Sequence, residues 1–363
     1  MGTSNRKCIV CLHGSSRNHN YGDVLLMAIY KSWIEEAGGE VIMDMANSYY
    51  GEYLNVEHSM PIKEAVKKAD FIVYGGGGYF GEPRKPSLRW RAKFVLHHLL
   101  PGILARMKGK PYGLFGIGFG PLNNWFIRKI GMYVVNGAKI VSIRDDESRN
   151  YLKKYGYKGN IYVNPDSALS ISDTESRYYV KRQTNNERRR IALHIPLDRG
   201  EDYERVRPTL LSFLKEISSS LSDVDFHFLV DHSIGEDCYQ YKFFDSLKDD
   251  LKVDWPIKQY TVPEDTLDFI STCDIVLTTK LHVAITSYAL GVKPIGISKH
   301  PKTKRFFKQV GLSTNHFDLY DILDEEKRKQ VLGRINEAEE ISIDSSITER
   351  AKNNKGLISE LIS

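Results

Sequence analysis

The chain has 363 residues, of which 41% are hydrophobic and 27% are charged, and its formal net charge is +5. At roughly 100 to 200 residues per domain this length predicts two domains, and the composition excludes a disordered chain. No run approaches the roughly 20 apolar residues of a bilayer-spanning helix, and the N-terminus lacks the apolar segment of a secretory signal, so we expect a cytoplasmic protein.

In the first half of the chain, short apolar runs alternate with amphipathic stretches. We predict strands at 7–12, 40–44, 70–74, 111–116, 139–143 and 161–163. The helices predicted between them cover 23–37, 61–68, 87–107, 123–136 and 146–155. Strands that alternate with helices indicate a mostly parallel sheet with helices on both faces.

A polar segment without periodicity, at about 171–189, marks the predicted domain boundary. The alternation then resumes, with strands predicted at 190–195, 225–231, 257–261, 274–278 and 294–297. The helices predicted between and after them cover 205–221, 236–249, 264–272, 281–290 and 302–310. The predicted divisions are residues 1–175, residues 188–312 and a charged, helical tail at 313–363.

This pattern predicts an α/β fold with two doubly wound, Rossmann-like domains that face each other across a cleft. Ligands of open parallel sheets bind outside the carboxyl ends of the strands. The loops that follow the strands are therefore where we expect the functional side chains.

One segment, residues 84–130, is strongly basic and has no acidic residue. It carries a charge of +10, which leaves −5 for the rest of the chain. Its basic residues are Arg84, Lys85, Arg89, Arg91, Lys93, Arg106, Lys108, Lys110, Arg128 and Lys129. Because apolar and aromatic residues are interleaved with these charges, the segment fits an anionic membrane surface or a phosphate-bearing substrate. A solvated helix face explains it equally well, whereas nucleic acid is disfavoured because no nucleic-acid-binding motif accompanies it.

The four cysteines predict neither a disulfide framework nor a metal site. Cys8 and Cys11 form a C-x-x-C pair, but they lie in an apolar run that is typical of a buried strand. Cys238 and Cys273 stand alone, without the paired spacing of a zinc site. We therefore interpret all four as structural residues.

Two loops of the first half contain glycines that follow predicted strands. The loop that starts at His13 ends with Gly22 and Asp23, where Asp23 is predicted to cap a helix whose free N–H groups would suit an anion or sugar hydroxyls. A turn with a simple cap explains the same residues. In Gly75–Gly78 the lack of side chains would let the backbone approach a ligand closely, although an empty turn is the alternative. Neither this loop nor Gly116–Pro121 has the spacing of a nucleotide-binding fingerprint, which disfavours nicotinamide or ATP binding.

Two further strand-end loops carry cationic side chains. Arg144 offers a planar fork to a carboxylate or phosphate, but a structural pair with Asp145 is equally compatible with the spacing. His282 is predicted in the first turn of a helix, a position that suits a proton-transferring group, although single histidines are more often structural. Lys302 is predicted at another helix start, with more cations beside it.

Together these motifs resemble the polysaccharide pyruvyl transferase family, in order and over about residues 8–310. The matching pieces are Asn20-x-Gly22-Asp23, Gly75–Gly78, Gly116-x-Gly-x-Gly-Pro121, Arg144-Asp-x-x-Ser148, Pro165-Asp-Ser-Ala168, Leu281-His282, Gly291-x-x-Pro294 and Lys302. Each piece is weak by itself, and the combination is fairly specific.

The resemblance implies a glycosyltransferase-B-like fold and transfer of a pyruvyl group from phosphoenolpyruvate to a sugar as a cyclic ketal, without a further cofactor or metal. It implies that Arg144 and Lys302 bind the anionic donor and that His282 acts as general acid or base. It further implies substrate binding by Asn20, Asp23, Gly76, Gly77, Gly78, Lys280, Leu281 and Lys304. Relatives commonly have arginine where this chain has Lys280, which keeps the charge but loses the bidentate fork.

The chemistry of such a reaction agrees with the residues. Phosphoenolpyruvate carries a carboxylate and a phosphate, which need cations and helix N-termini. We expect the first domain to bind the acceptor and the second to bind the donor. For the acceptor we expect a hexose in a lipid-diphosphate-linked glycan precursor, handled at the inner face of the cell membrane, since the basic segment would suit anionic headgroups.

Two alternatives come from other classes of protein. A nucleotide-sugar-dependent glycosyltransferase shares the expected fold and also holds a diphosphate in its C-terminal domain. A glycan- or membrane-binding protein with a degenerate site is the non-enzymatic alternative, for which Lys280 is the hint. Donor binding distinguishes a pyruvyl transferase from a glycosyltransferase, because phosphoenolpyruvate would stabilise only the pyruvyl transferase.

Overall fold

A computed structural model describes residues 7–16, 19–83, 85–183, 188–197, 200–232, 238–337 and 341–363. The chain divides into two compact units. The first comprises Met1–His19, Asp23–Ser167 and Glu349–Ser363, and the second comprises Asn20–Gly22 and Ala168–Thr348. The main division therefore falls at Ser167, and the end of the tail belongs to the first unit.

The first unit is built on a parallel sheet with the strand order β3-β2-β1-β4-β6-β7-β8, to which β5 is added as a second partner of β6. Its strands are β1 (Cys8–His13), β2 (Gly39–Asp44), β3 (Glu57–Met60), β4 (Phe71–Tyr74), β5 (Gly77–Phe80), β6 (Tyr112–Phe119), β7 (Ile140–Ile143) and β8 (Tyr162–Val163). Every residue of β6 is buried, as expected for a central parallel strand covered on both faces.

The helices of this unit connect its strands. They are α1 (Tyr21–Glu36), α2 (Ser48–Leu54), α3 (Ile62–Lys68), α4 (Leu88–Phe94), α5 (Leu100–Met107), α6 (Trp125–Gly137) and α7 (Asp146–Lys154). The first two residues of α1, Tyr21 and Gly22, belong to the second unit. One π-helical turn, Val95–Leu99, lies between α4 and α5, so the predicted basic helix is continuous but irregular. Side chains of Ser87, Asn124 and Asp145 cap α4, α6 and α7, respectively.

The second unit has a six-stranded parallel sheet with the order β11-β10-β9-β12-β13-β14. Its strands are β9 (Arg189–His194), β10 (Val224–Leu229), β11 (Ile257–Lys258), β12 (Ile275–Thr278), β13 (Lys293–Ile297) and β14 (His316–Phe317). Its helices are α8 (Glu201–Ser220), α9 (Tyr239–Leu251), α10 (Pro263–Ser271), α11 (Leu281–Ala289), α12 (Pro301–Gln309) and α13 (Glu325–Asn336).

The last helix, α14 (Ser345–Ile362), contributes its residues from Glu349 onward to the first unit. Asn354 is fully buried and reaches the ends of two strands: its Oδ1 accepts hydrogen bonds from Ser142 Oγ (2.6 Å) and Asn164 Nδ2 (3.2 Å), and its Nδ2 donates to Ser167 Oγ (3.0 Å). A polar tail residue thus completes the hydrogen bonding of the first sheet.

The prediction of two doubly wound parallel sheets is confirmed, and Cys8 and Cys11 lie in β1 as predicted. The sequence pattern missed α2, β3, β14 and β5. The predicted Gly75–Gly78 loop is wrong in part, because Gly77 and Phe80 pair with Ile117 and Phe119 of β6. Glycine has low strand propensity, so a strand held by a distant partner leaves little local signal. Among the described residues, no helix is long and apolar enough to cross a bilayer.

Candidate functional site

The carboxyl edge of the second sheet brings together several predicted site residues. Neighbouring strands β12 and β13 pair in parallel, so the helices that follow them, α11 and α12, begin at the same edge. Lys280 immediately precedes α11, which starts with Leu281 and His282. The first turn of α12 contains Lys302 and Lys304. The structure therefore places these five residues at two adjacent helix N-termini.

His282 lies directly against the backbone of Gly22. A Cβ atom at residue 22 would overlap the Nδ1, Cγ and Cβ atoms of the His282 side chain. Gly22 belongs to the second unit together with Asn20 and Tyr21. Within that unit, Tyr21 N donates to Asp231 O (2.8 Å) and Asn20 forms a backbone bridge with His232. Glycine at position 22 is thus required by close approach to the imidazole.

The prediction that Asp23 is the N-cap of α1 is wrong. The helix begins two residues earlier, at Tyr21, so Asp23 lies within its first turn. The backbone contacts of Asn20 and Tyr21 with residues 231 and 232 hold the chain at this point and fix the earlier start. A carboxylate in the first turn still interacts favourably with the helix dipole.

Behind Lys280, the second unit contains a buried acid–imidazole pair that the sequence pattern does not predict. His194 ends β9, and its Nε2 lies 3.1 Å from Oδ1 of Asp231, which is only 2% exposed. Gln240 Nε2 donates to the same Oδ1 at 2.8 Å. Burial by itself raises the pKa of the Asp231 carboxyl, but His194, Lys280 and Gln240 together hold that pKa well below its usual range.

This pair is connected to the turn that leads into α11. His194 Nδ1 lies 2.7 Å from Thr278 Oγ1, which also accepts a hydrogen bond from the backbone N–H of Lys280 (3.0 Å). The ionised Asp231 and its partners therefore support the backbone just before His282. The only sequence signal was a polar residue at the end of each apolar run, Leu193-His194 and Val230-Asp231.

Arg144 follows β7 in the first unit and is buried. Its Nη1 lies 3.3 Å from Asp166 Oδ2, and its Nε lies 3.7 Å from Asp145 Oδ2. Asp145 also caps α7, because its Oδ1 accepts a hydrogen bond from the N–H of Ser148 (2.7 Å). A Cβ at Gly118 would lie 2.7 Å from the guanidinium, so this motif glycine gives Arg144 its space.

The remaining predicted residues, Gly76, Gly77 and Gly78, follow β4 at the carboxyl edge of the first sheet. Gly76 and Gly77 are buried, and Gly77 and Gly78 belong to β5. The backbone here is held by strand pairing, and Tyr79 Oη donates to Gly75 O (2.7 Å). Among the described residues, no group of three or more His, Cys, Asp or Glu side chains is placed to hold a metal ion.

A family model for polysaccharide pyruvyl transferases matches residues 20–301, which is most of the chain and includes the whole second sheet except β14. The chain belongs to the polysaccharide pyruvyl transferase family. Family membership implies an enzyme, a transferase that uses phosphoenolpyruvate. None of the curated proteins matches this family member in sequence.

Solved structures similar to this pyruvyl transferase define its fold. UDP-GlcNAc 2-epimerase from Methanocaldococcus jannaschii matches with a TM-score of 0.64 and 12% identity, over 96% of this chain and 99% of that chain. The enzyme of the same name from Neisseria meningitidis, bound to UDP-GlcNAc, matches with a TM-score of 0.60 and 10% identity, over 98% and 99%. The spinosyn rhamnosyltransferase SpnG matches with a TM-score of 0.50 and 11% identity, over 97% and 96%. The predicted glycosyltransferase-B-like fold class is confirmed.

Proposed function

We propose that this pyruvyl transferase joins the pyruvyl group of phosphoenolpyruvate to two hydroxyls of a hexose, forming a cyclic ketal and releasing phosphate. The observation that carries the proposal is the position of His282 in the first turn of α11, at the edge where the cations of α12 also lie, in a chain of this family. An imidazole among cations suits proton transfer to an anionic donor.

The reaction balances with one acid and a cationic donor site. His282 delivers a proton to the methylene carbon of the donor, which makes the adjacent carbon oxocarbenium-like. Two sugar hydroxyl oxygens bond to that carbon, and the bond between it and the phosphate oxygen breaks. One of the two hydroxyl protons restores the proton that His282 gave to the methylene carbon, and the other leaves with phosphate.

In this proposal Arg144 and Lys302 neutralise the carboxylate and phosphate of the donor. Substrate binding is assigned to Asn20, Asp23, Gly76, Gly77, Gly78, Lys280, Leu281 and Lys304. Lys280 would act as a point charge, because lysine lacks the bidentate geometry of arginine.

The direct test is incubation of the protein with phosphoenolpyruvate and a panel of free and lipid-linked hexose glycans. We expect one phosphate released for each acceptor that gains the mass of one pyruvyl ketal. Thermal stabilisation measurements with phosphoenolpyruvate and with sugar nucleotides serve as the control for donor choice. Stabilisation by a sugar nucleotide alone would replace the proposal with the glycosyltransferase alternative.

The acceptor is proposed to be lipid-linked, and the support is a basic apolar face formed by residues 85–108 and 125–133. Leu88, Met107 and Trp125 are 80%, 72% and 60% exposed. On α4 and the following turn, Leu88, Ala92 and Leu96 recur every four residues and are all exposed. Helix α5 contacts α6, which carries Trp125, and both contact the π-helical turn that follows α4, so the helices that bear these side chains are neighbours.

Exposed cations accompany these apolar side chains. Arg89 and Lys93 are exposed on α4, and the Lys129 ammonium lies 5.1 Å from the centre of the Trp125 ring. Aromatic and aliphatic groups with flanking cations are typical of helices that lie in the headgroup region of an anionic bilayer. Arg84 belongs to the same sequence segment but lies outside the described residues. Binding at the membrane would bring the enzyme to a lipid-diphosphate-linked acceptor.

Neutralising two exposed cations of this face should weaken membrane binding. At about 1 kcal/mol per basic residue, Arg89→Gln with Lys93→Gln should cost about 2 kcal/mol, or about thirty-fold in the partition coefficient. The measurement is cosedimentation with vesicles that contain phosphatidylserine, compared with neutral vesicles. Lys153→Gln with Lys154→Gln on α7 makes the same charge change elsewhere on the unit and should have little effect. Equal losses of vesicle binding in both double variants would show that binding depends only on net charge, and would contradict the proposed face.

A further inference from the structure

The carboxyl edge of the first sheet holds a buried acid–imidazole pair that the proposed mechanism does not use. His13 ends β1 and Asp44 ends the neighbouring parallel strand β2. His13 Nδ1 lies 2.8 Å and 3.0 Å from the two carboxylate oxygens of Asp44. Both residues are only 3% exposed. A buried carboxylate in this position fixes the orientation of an imidazole and favours its Nδ1–H tautomer.

A second imidazole continues the pair towards the surface. His98 Nδ1 lies 3.3 Å from His13 Nε2, and His98 is partly exposed. It belongs to the π-helical turn Val95–Leu99, a type of distortion that is frequent at functional sites. The ring of His98 stacks on Tyr79, with centroids 4.6 Å apart and planes at 22°, and Tyr79 is itself hydrogen-bonded to Gly75 O. The glycine-rich segment therefore holds His98 in place through Tyr79.

The hydrogen-bond directions in this row define a proton path. With Nδ1–H of His13 donating to Asp44, His13 Nε2 accepts the hydrogen bond from Nδ1–H of His98. In that tautomer His98 carries its proton on Nδ1, so its Nε2 has a lone pair. A proton taken up at Nε2 can be matched by transfer of the Nδ1 proton to His13, where Asp44 stabilises the positive charge.

We propose that Asp44, His13 and His98 form a proton relay, with His98 as the general base that takes a proton from a hydroxyl of the acceptor sugar. In the step, the hydroxyl proton goes to His98 Nε2, the His98 Nδ1 proton goes to His13 Nε2, and the sugar oxygen bonds to the oxocarbenium-like pyruvyl carbon, which lost its double bond to the methylene carbon when that carbon was protonated. The proton then returns along the row and leaves from the partly exposed His98 to water, from which the released phosphate takes it up. This inference rests on the proposed function and adds the acceptor-activating group to it. His98 would be the catalytic residue, and His13 and Asp44 would be positioning residues.

The negative charge of Asp44 suits this relay to the neutral hydroxyls of the acceptor sugar rather than to the anionic donor. A buried carboxylate at the end of the row repels an anionic ester but stabilises the cation formed when a neutral hydroxyl is deprotonated. Ketal formation also removes protons from two hydroxyls, whereas the proposed mechanism so far contains a single acid–base group, His282. A base on the acceptor side would take up the hydroxyl proton that His282 does not, so that it need not pass directly to phosphate.

The first test is chemical rescue of His98→Ala by imidazole. We expect ketal formation to fall about 10²- to 10⁴-fold, stabilisation by phosphoenolpyruvate to stay unchanged, and added imidazole to restore part of the turnover. His97→Ala removes the neighbouring imidazole from the same π-helical turn and should show neither the loss nor the rescue. Equal losses in the two variants without rescue by imidazole would assign His98 a structural role and overturn the proposal.

The second test does not depend on turnover. Nitrogen-15 NMR of the histidine rings reports the tautomer of His13, which we expect to be Nδ1–H in the wild type and to change in Asp44→Asn. An Nε2–H tautomer in the wild type would overturn the relay even if the enzyme forms ketals. If the wild type forms no ketal with any acceptor, the proposed function fails and the catalytic part of the inference fails with it, while the NMR result still decides whether the row is ordered as inferred.

Discussion

His282→Gln is expected to abolish ketal formation while it leaves the fold and donor binding nearly unchanged. Glutamine retains much of the size and hydrogen-bonding capacity of the side chain at the start of α11 but does not exchange a proton near neutral pH. Loss of a general acid–base group costs about 10²- to 10⁴-fold in rate. The measurements are steady-state phosphate release, thermal unfolding, and thermal stabilisation by phosphoenolpyruvate.

The control for this variant is His227→Gln. His227 lies within β10 rather than at its carboxyl end, and its ring packs against Phe269. His227→Gln should therefore lower the melting temperature but leave the rate of phosphate release nearly unchanged. Near-normal turnover in His282→Gln would remove His282 from the mechanism, because a reaction that needs its proton would not proceed at the wild-type rate.

Gly22→Ala is also expected to slow ketal formation, because the added methyl group displaces the imidazole of His282. The added Cβ would overlap the ring of His282, and the backbone of residues 20–22 is held by residues 231 and 232, so the ring has to move. A displacement of about 1 Å at a reacting group can cost about 10²-fold. We expect kcat to fall by about that factor, with a smaller change in the KM for phosphoenolpyruvate.

A glycine-to-alanine change at a position with free space is the control for the methyl group itself. Gly333 lies inside α13, and a Cβ there would meet no atom within 4 Å. Gly333→Ala should leave turnover unchanged and stabilise the protein by up to about 1 kcal/mol. Because Gly22 acts through His282, the double variant Gly22→Ala with His282→Gln should be no less active than His282→Gln. Wild-type kcat in Gly22→Ala would contradict the close packing of the two residues.

Local patterns predicted most of the fold because buried parallel strands are apolar along their whole length. Strand β6, buried at all eight positions, illustrates this signal, and its bounds differ from the prediction by one residue at the start and three at the end. Strand β5 was missed because its glycines have no apolar pattern and its order comes from pairing with β6. The start of α1 was misplaced because residues 231 and 232 fix it, and no local window contains them.

The sequence predicted those residues of the candidate site that lie in local motifs, and it did not predict those that are brought together by the fold. His282, Lys302 and Arg144 were identified from helix starts and strand ends, and their catalytic roles stay predictions until the variants are measured. The buried pairs His194–Asp231 and His13–Asp44 were not identified, because each joins residues from two neighbouring strands that are far apart in the sequence. Such pairs become visible only when the strand order is known.

The return of the final helix to the first unit has a consequence for the order in which the protein folds during synthesis. Ser142 and Asn164 leave the ribosome long before Asn354, whose buried amide is their hydrogen-bonding partner. Asn164 Nδ2 can still donate to Ser142 Oγ (3.2 Å), but both groups lack the buried amide of Asn354, so the nascent first unit stays less stable than the finished one. Most of the second unit, residues 168–348, is translated between Asn164 and Asn354 and is therefore free to complete its folding before synthesis of α14 completes the first unit.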